Sequence, residues 1–260
     1  MLDGLLAHVG GDMSETALNT QEWRNTGTTW TRNEYFDIDG YVIVRNIWDP
    51  RELYHPVPSE RGQLNWWGTK LDQFNITSEV ESQVEGSLAR YNHPQYKRIH
   101  TGIRMILEEL LGRSLYNTYY YDRYYFPGQE LTKHADRDAC EISVTVNAST
   151  NLTEEWPIWI KTPDIYTDKS KLKLVSKGEN RSVVLKPGDG MVYKGCERPH
   201  WRYSMPGLLE MDLAKTNKEP VIDFYYHQIF FHYVLQDGER AHCAWDRVRW
   251  GNVIPTINNG

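Results

Sequence analysis

Tyr125-Phe126-Pro127-Gly128-Gln129-Glu130-Leu131-Thr132-Lys133-His134-Ala135-Asp136 is the stretch on which the reading of this chain turns. It reads as a strand end and a glycine turn leading to His134. His134 and Asp136 are two residues apart, so on an extended backbone both side chains point to the same side. A third ligand type stands in Arg198-Pro199-His200-Trp201-Arg202, some sixty residues later. Two histidines and one carboxylate on one face of a metal leave the opposite positions open. That donor set suits non-heme Fe(II), which must also bind a cosubstrate and dioxygen. A bare His-x-Asp is weak evidence in a chain with nine histidines, but the surroundings strengthen it. Leu185-Lys186-Pro187-Gly188-Asp189-Gly190 is a turn signal, followed by the apolar run Met191-Val192-Tyr193 that leads to His200.

Working outward, segments 117–126, 141–148, 156–161, 182–187, 190–196, 200–204 and 221–235 are rich in Tyr, Val, Ile, Phe and Trp, with Gly, Pro, Asn or Asp between them. A short strand at 172–176 brings the count to the eight of a double-stranded β-helix, or jelly-roll barrel. The mouth of such a barrel accommodates a small ligand. Residues 78–115 have a helical pattern, with a Ser78/Glu81 capping box and apolar residues at helical spacing up to Gly112; Pro94 divides them into two helices that buttress the sheet. The expected organisation is a polar extension at 1–30 and one catalytic domain at 31–260. Within that domain the helical support spans about 78–115, the barrel about 116–235 and a tail 236–260. The fold class is therefore mainly β with flanking helices.

In the order Tyr, Gly, His-x-Asp, Pro-Gly-Asp, His, the chain resembles the 2-oxoglutarate- and Fe(II)-dependent oxygenases, in particular their prolyl-hydroxylase-like and phytanoyl-hydroxylase-like branches. The resemblance covers roughly residues 117–235, and Tyr35 to Val44 is similar to the segment that leads into such enzymes. It implies a cupin-like core and His134, Asp136 and His200 as ligands of Fe(II). It also implies 2-oxoglutarate and O2 as cosubstrates, consumed to succinate and CO2 as a substrate is hydroxylated. Relatives place a Lys or Arg about ten residues after the final His to hold the far carboxylate of 2-oxoglutarate. Here that position is Glu210, and Val221 to Leu235 contains neither Lys nor Arg. Arg202, two residues beyond His200, shares its strand face and is the remaining candidate for a bidentate fork. Lys215, Lys218 and a set including His232 are the fallbacks. Tyr125 matches a position where related hydroxylases place a Tyr near the cosubstrate.

Arg123 and Arg137 are candidate substrate contacts or solvated charges. Trp66 and Trp67 are candidate lid residues or a satellite hydrophobic cluster. Gly128, Gly188 and Gly190 serve turns, and Asp189 is read as a turn residue bonding nearby backbone amides rather than as a ligand. A free small molecule or amino acid is preferred as substrate to a peptidyl side chain, because the long loops 46–76 and 205–219 suggest a covered site. A non-catalytic jelly-roll binding protein is the reading from a different class. A zinc hydrolase is disfavoured, since no placed general base accompanies the trio.

The net charge of −6 argues against a general nucleic-acid-binding surface. No apolar run long enough for a membrane span is present, and Met1 to Leu6 lacks the features of a secretory signal. The three cysteines, Cys140, Cys196 and Cys243, cannot all pair and match no zinc spacing, so reduced thiols and a cytoplasmic location are expected. If Asp136 and His200 oppose each other on antiparallel strands, Cys140 and Cys196 do too, near the iron and without a bridge. The sequence leaves the oligomeric state open.

Overall fold

The computed structural model describes residues 32–57, 75–76, 83–84, 87–168, 173–207, 224–246, 248–249 and 252–253. In chain order the strands are β1 (Tyr41–Val44), β2 (Asn75–Ile76), β3 (Leu88–Tyr91), β4 (Leu115–Tyr125), β5 (Leu131–His134), β6 (Ile142–Thr150), β7 (Ile158–Lys161), β8 (Ile165–Asp168), β9 (Lys173–Ser176), β10 (Asn180–Val183), β11 (Gly190–Tyr193), β12 (His200–Arg202), β13 (Tyr226–Leu235), β14 (Val248–Arg249) and β15 (Asn252–Val253). The helices are α1 (Arg32–Asp39), α2 (Pro50–Leu53) and α3 (Lys97–Leu111).

The pairing explains the barrel. A seven-stranded sheet has the order β1-β11-β6-β13-β4-β3-β2, and a four-stranded sheet the order β10-β7-β12-β5. From β4 to β7 the chain alternates between the two sheets, and from β10 to β13 it retraces that path. β7 pairs with β10, β6 with β11, β5 with β12 and β4 with β13, every pair antiparallel. One long hairpin wound into a helix gives this nested order, which defines a double-stranded β-helix. β8 and β9 form a separate two-stranded sheet inserted between β7 and β10.

The large sheet has two different faces. Outward, Ile142, Val144, Val146, Phe231 and Tyr233 pack against Ile99, Ile103, Leu107 and Leu111, which recur every four residues along one stripe of α3. Each such fully buried aliphatic side chain contributes about 1.5–3 kcal/mol. Gly112, at φ +63°, ends that helix in the left-handed conformation. Inward, Ser143, Thr145 and Asn147 alternate with the apolar residues of β6, and Tyr226, Gln228, Phe230 and His232 alternate along β13.

Two expectations change. Residues 172–176 lie largely in β9, outside the barrel; the eighth barrel strand is β5, whose Leu-Thr-Lys-His sequence has one apolar residue and no alternation to read. Residues 88–91 are a buried strand, and the helix begins only after a 3-10 turn at Pro94–Tyr96. Pro94 fits that first turn because it lacks the N–H that a helix interior requires. Arg32 to Asp39 is a helix that leads through Gly40 into β1. The capping box at Ser78 and Glu81 lies outside the described residues. Among those residues, no helix is long and apolar enough to cross a membrane.

Candidate metal centre

His134 ends β5 and His200 opens β12, and the two are register partners. A register shift between the rungs at His200 and Arg202 lets Leu131 and His134, three residues apart, both turn toward the barrel interior. Asp136 lies beyond the end of β5. Its amide donates to Gly195 O at 2.9 Å, which brings the carboxylate back toward the histidines. The same-side placement expected from the two-residue spacing is therefore reached, but by a loop hydrogen bond rather than a continuous strand.

Asp136 Oδ1 is 3.4 Å from His134 Nε2 and 3.5 Å from His200 Nε2, and the imidazole centroids are 4.4 Å apart. The three donor atoms lie within 4.8 Å of one another. Each ring is oriented by the carbonyl two residues before it: His134 Nδ1 donates to Thr132 O at 2.8 Å, and His200 Nδ1 donates to Arg198 O at 3.0 Å. A carbonyl only accepts, so both Nδ1 atoms carry a proton, which leaves the two Nε2 atoms facing Asp136 Oδ1 as the positions that can ligate a cation. Burial alone would raise the Asp136 carboxyl, but His200 and the bond from His134 outweigh it and hold it below the usual carboxylate value. Burial holds His200 below the ordinary histidine value despite the neighbouring Asp136. A neutral imidazole and an ionised carboxylate are the states a divalent cation needs. The donor set and its tautomers thus fit Fe(II).

Gly195 makes the convergence sterically feasible. A Cβ there would lie 2.2 Å from Cys140 O and 2.6 Å from both Asp136 Oδ2 and Ser143 Oγ.

Deeper in the barrel, Arg202 is 1% exposed. Its Nε donates to Gln228 Oε1 at 3.0 Å, Nη1 to Trp156 O and Nη2 to Tyr226 Oη at 3.2 Å, and its guanidinium lies over the rings of Trp156 and Tyr226. Every one of these partners is neutral, and among the described residues no carboxylate forms an ion pair with Arg202. A buried cation balanced by no anion is costly, so an anionic ligand fits here. Gln228 also donates to Thr145 Oγ1. Tyr125 is fully buried, with its ring edge-on to Trp156 at 5.1 Å, and accepts at Oη from Arg123 Nη1 at 3.1 Å. Arg123, 1% exposed, also donates to Gln83 and lies beside Tyr121 and Phe230. Arg137 is engaged elsewhere: Nη2 pairs with Asp246 at 2.8 Å and the guanidinium covers the Tyr119 ring. Trp66, Trp67, Glu210, Lys215 and Lys218 lie outside the described residues.

Asp189 accepts from Arg45 Nη1, Asn46 N and Lys186 N at 2.7–3.0 Å, so its carboxylate is taken up by the turn and the Arg45 guanidinium. The expected opposition of Cys140 and Cys196 does not occur. His200 is in register with His134 rather than Asp136, Cys140 belongs to the 3-10 turn Asp138–Cys140, and Cys196 Sγ donates to Arg137 O. All three cysteines are free. Sequence reasoning passed over Ser143, Gly195, Gln228 and Tyr226 and reached His232 only as a fallback. The available signal was the alternation of polar with apolar residues along 142–148 and 226–232, where a polar inward face marks a lined cavity rather than a packed core.

No protein-family model matches the sequence, and no curated protein sequence does. Solved structures similar to this chain include a prolyl-4-hydroxylase from Pseudomonas putida, 12% identical with a TM-score of 0.45 over 77% of this chain and 95% of that one. HygX from Streptomyces hygroscopicus, solved with nickel, 2-oxoglutarate and hygromycin B, is 10% identical with a TM-score of 0.47 over 79% and 87%. SnoN, a non-heme α-ketoglutarate-dependent epimerase from nogalamycin biosynthesis, is 13% identical with a TM-score of 0.47 over 78% and 80%. With likenesses this distant, the fold assignment rests on the nested strand pairing. In that pairing, and in the His134–Asp136–His200 set it brings together, the chain resembles the 2-oxoglutarate- and Fe(II)-dependent oxygenase superfamily.

Proposed function

We propose that this protein is a non-heme Fe(II)- and 2-oxoglutarate-dependent dioxygenase that hydroxylates a small molecule or free amino acid, with release of succinate and CO2. The observation that carries the reading is the convergence of two histidine Nε2 atoms and one carboxylate oxygen at the end of the barrel. His134, Asp136 and His200 would hold the iron. Arg202, supported by Gln228 and Tyr226, would bind the distal carboxylate of 2-oxoglutarate, with Tyr125 beside it. When bound, the iron and cosubstrate supply the oxidising chemistry; the protein supplies orientation and exclusion of water.

The chain's own residues suit that division of labour. The Nδ1–H bonds to Thr132 and Arg198 keep both imidazoles in one tautomer and orientation. Tyr193, whose ring meets that of His200 edge-on at 4.7 Å, and the stacked pair Tyr121 and Phe230 at 4.4 Å provide an apolar wall. Arg123, among those rings, is the candidate to contact an acidic or hydroxylated substrate. The free thiols fit a reducing cytoplasmic setting.

The test is a succinate-release screen of the Fe(II)-loaded protein with 2-oxoglutarate over a panel of amino acids, small metabolites and proline-containing peptides. Stimulation by a free small molecule supports the reading, whereas stimulation by peptides alone replaces it with a peptidyl hydroxylase. No succinate above the metal-free control, with or without substrate, would leave a binding protein.

A further inference from the structure

The two oxygens of Asp136 have different surroundings. Oδ1 faces both histidine Nε2 atoms, whereas Oδ2 accepts from the Ser143 hydroxyl at 3.2 Å. Ser143 Oγ is also 3.1 Å from Cys140 O and 2.9 Å from His232 Nδ1. The hydroxyl has one proton to donate, and both the carboxylate and the carbonyl can only accept. Opposed lone pairs are avoided when His232 is protonated at Nδ1 and donates to the hydroxyl, which Tyr193 also reaches, so that the hydroxyl proton turns toward Asp136 and Cys140. His232 is itself clamped, 2% exposed, with its ring 4.5 Å from that of Tyr119. Its Nε2 has no hydrogen-bond partner among the described residues.

We propose that Ser143, backed by His232, is a positioning pair that withholds Oδ2 of Asp136 from the metal and so restricts the carboxylate to one ligating oxygen. The proposal rests on the metal reading above. Its consequence is a count of positions: two histidines and one carboxylate oxygen leave room for a chelating 2-oxo acid together with dioxygen. A carboxylate free to turn and engage the cation through both oxygens would occupy a position that they need. Ser143 is thus assigned a role in keeping the centre open.

The test uses the full chain and the variants Ser143→Ala, His232→Leu and His232→Asn, the last of which keeps an N–H near the position of Nδ1. Equilibrium Mn(II) affinity, anaerobic 2-oxoglutarate affinity of the Fe(II)-loaded protein and the visible spectrum of the Co(II)-substituted protein are measured for each. Ser143→Ala is expected to retain metal affinity within about threefold or to tighten it, to weaken 2-oxoglutarate binding at least tenfold, and to alter the Co(II) bands. His232→Leu is expected to move in the same direction, and His232→Asn to stay near the parent. Cobalt spectra and 2-oxoglutarate affinity unchanged in both Ser143→Ala and His232→Leu would overturn the proposal. So would a parallel loss of metal and cosubstrate binding, which is the mark of a structural role. If Ser143→Ala fails to fold, the contrast between His232→Leu and His232→Asn decides alone. A parent protein that binds neither Fe(II) nor Mn(II) would instead refute the metal reading, a distinguishable outcome.

Discussion

Replacing Arg202 with Met separates an anion-binding role from a structural one. Met fills much of the same volume, and it removes a guanidinium whose partners (Gln228, Trp156 O and Tyr226) are all neutral. Two opposing effects then act on the free protein. The acceptors on Gln228 and Trp156 lose a donor, at about 1–3 kcal/mol each, while the burden of an uncompensated buried charge disappears, and replacing buried charge by well-packed apolar groups is often near neutral. The stability of the free protein should therefore change by no more than about 2 kcal/mol. The ligand behaves differently. A carboxylate held by a guanidinium fork makes two charge-assisted bonds, each contributing about 1.5–3 kcal/mol. Their loss should cost about 3–6 kcal/mol, or about two to four orders of magnitude in the Kd for 2-oxoglutarate. Calorimetric titration of 2-oxoglutarate into the anaerobic Mn(II)-loaded protein measures this directly, and thermal unfolding gives an independent readout. At a 2-oxoglutarate concentration 100 times the parent Kd, the parent gains about 2.7 kcal/mol, and Arg202→Met should gain almost none. Arg202→Lys, which keeps the charge but not the fork, should fall between the two. A Kd within threefold of the parent would refute the assignment and move the search to Lys215 or Lys218.

Gly195→Ala should abolish Mn(II) binding at concentrations that saturate the parent, because its Cβ would meet Cys140 O, a backbone atom, and Asp136 Oδ2; retention of parent-like affinity in a titration would contradict the packing described here. His100 should carry part of any acid sensitivity. It is neutral and satisfied on both nitrogens, with Nε2–H donating to His232 O and Nδ1 accepting from Asn117, and burial lowers its pKa to about 4. A folded-state value below the unfolded one of about 6.5 means that stability is full above that pH and is lost as pH falls toward 4. Between pH 7 and 5 the loss from this one group is about 2 kcal/mol. In denaturant unfolding of the metal-free protein, His100→Gln should flatten the dependence of stability on pH over that interval, and parallel curves for parent and variant would exclude the role.

The convergence of His134, Asp136 and His200 was legible in the sequence because it depends on residue types at fixed spacing beside turn-forming Pro-Gly and Gly residues. Most of the barrel was legible because its strands are rich in β-branched and aromatic residues. What escaped was decided by tertiary contacts. β5 is four mostly polar residues that extend only because β12 pairs with them. Leu88 to Tyr91 is a strand because it pairs with β4 on one side and β2 on the other, although it stands within a helical pattern. The link from His232 through Ser143 to Asp136 joins positions far apart in the chain, and only the nested pairing brings them together. The cysteine register failed for a specific reason: the rung opposite His200 is His134, so Asp136 is past the paired region and everything beyond it is displaced.

The central claim, that His134, Asp136 and His200 form an Fe(II) centre open to 2-oxoglutarate, is tested most directly by anaerobic titration of Fe(II) into the protein in the presence of 2-oxoglutarate. The weak visible charge-transfer band of the ternary complex is monitored. The expected result is a band that saturates at one Fe(II) per chain in the parent and is lost in His134→Ala, with the circular dichroism spectrum of the fold retained. A parent protein that develops no band, or a His134→Ala variant that titrates like the parent, would contradict the account.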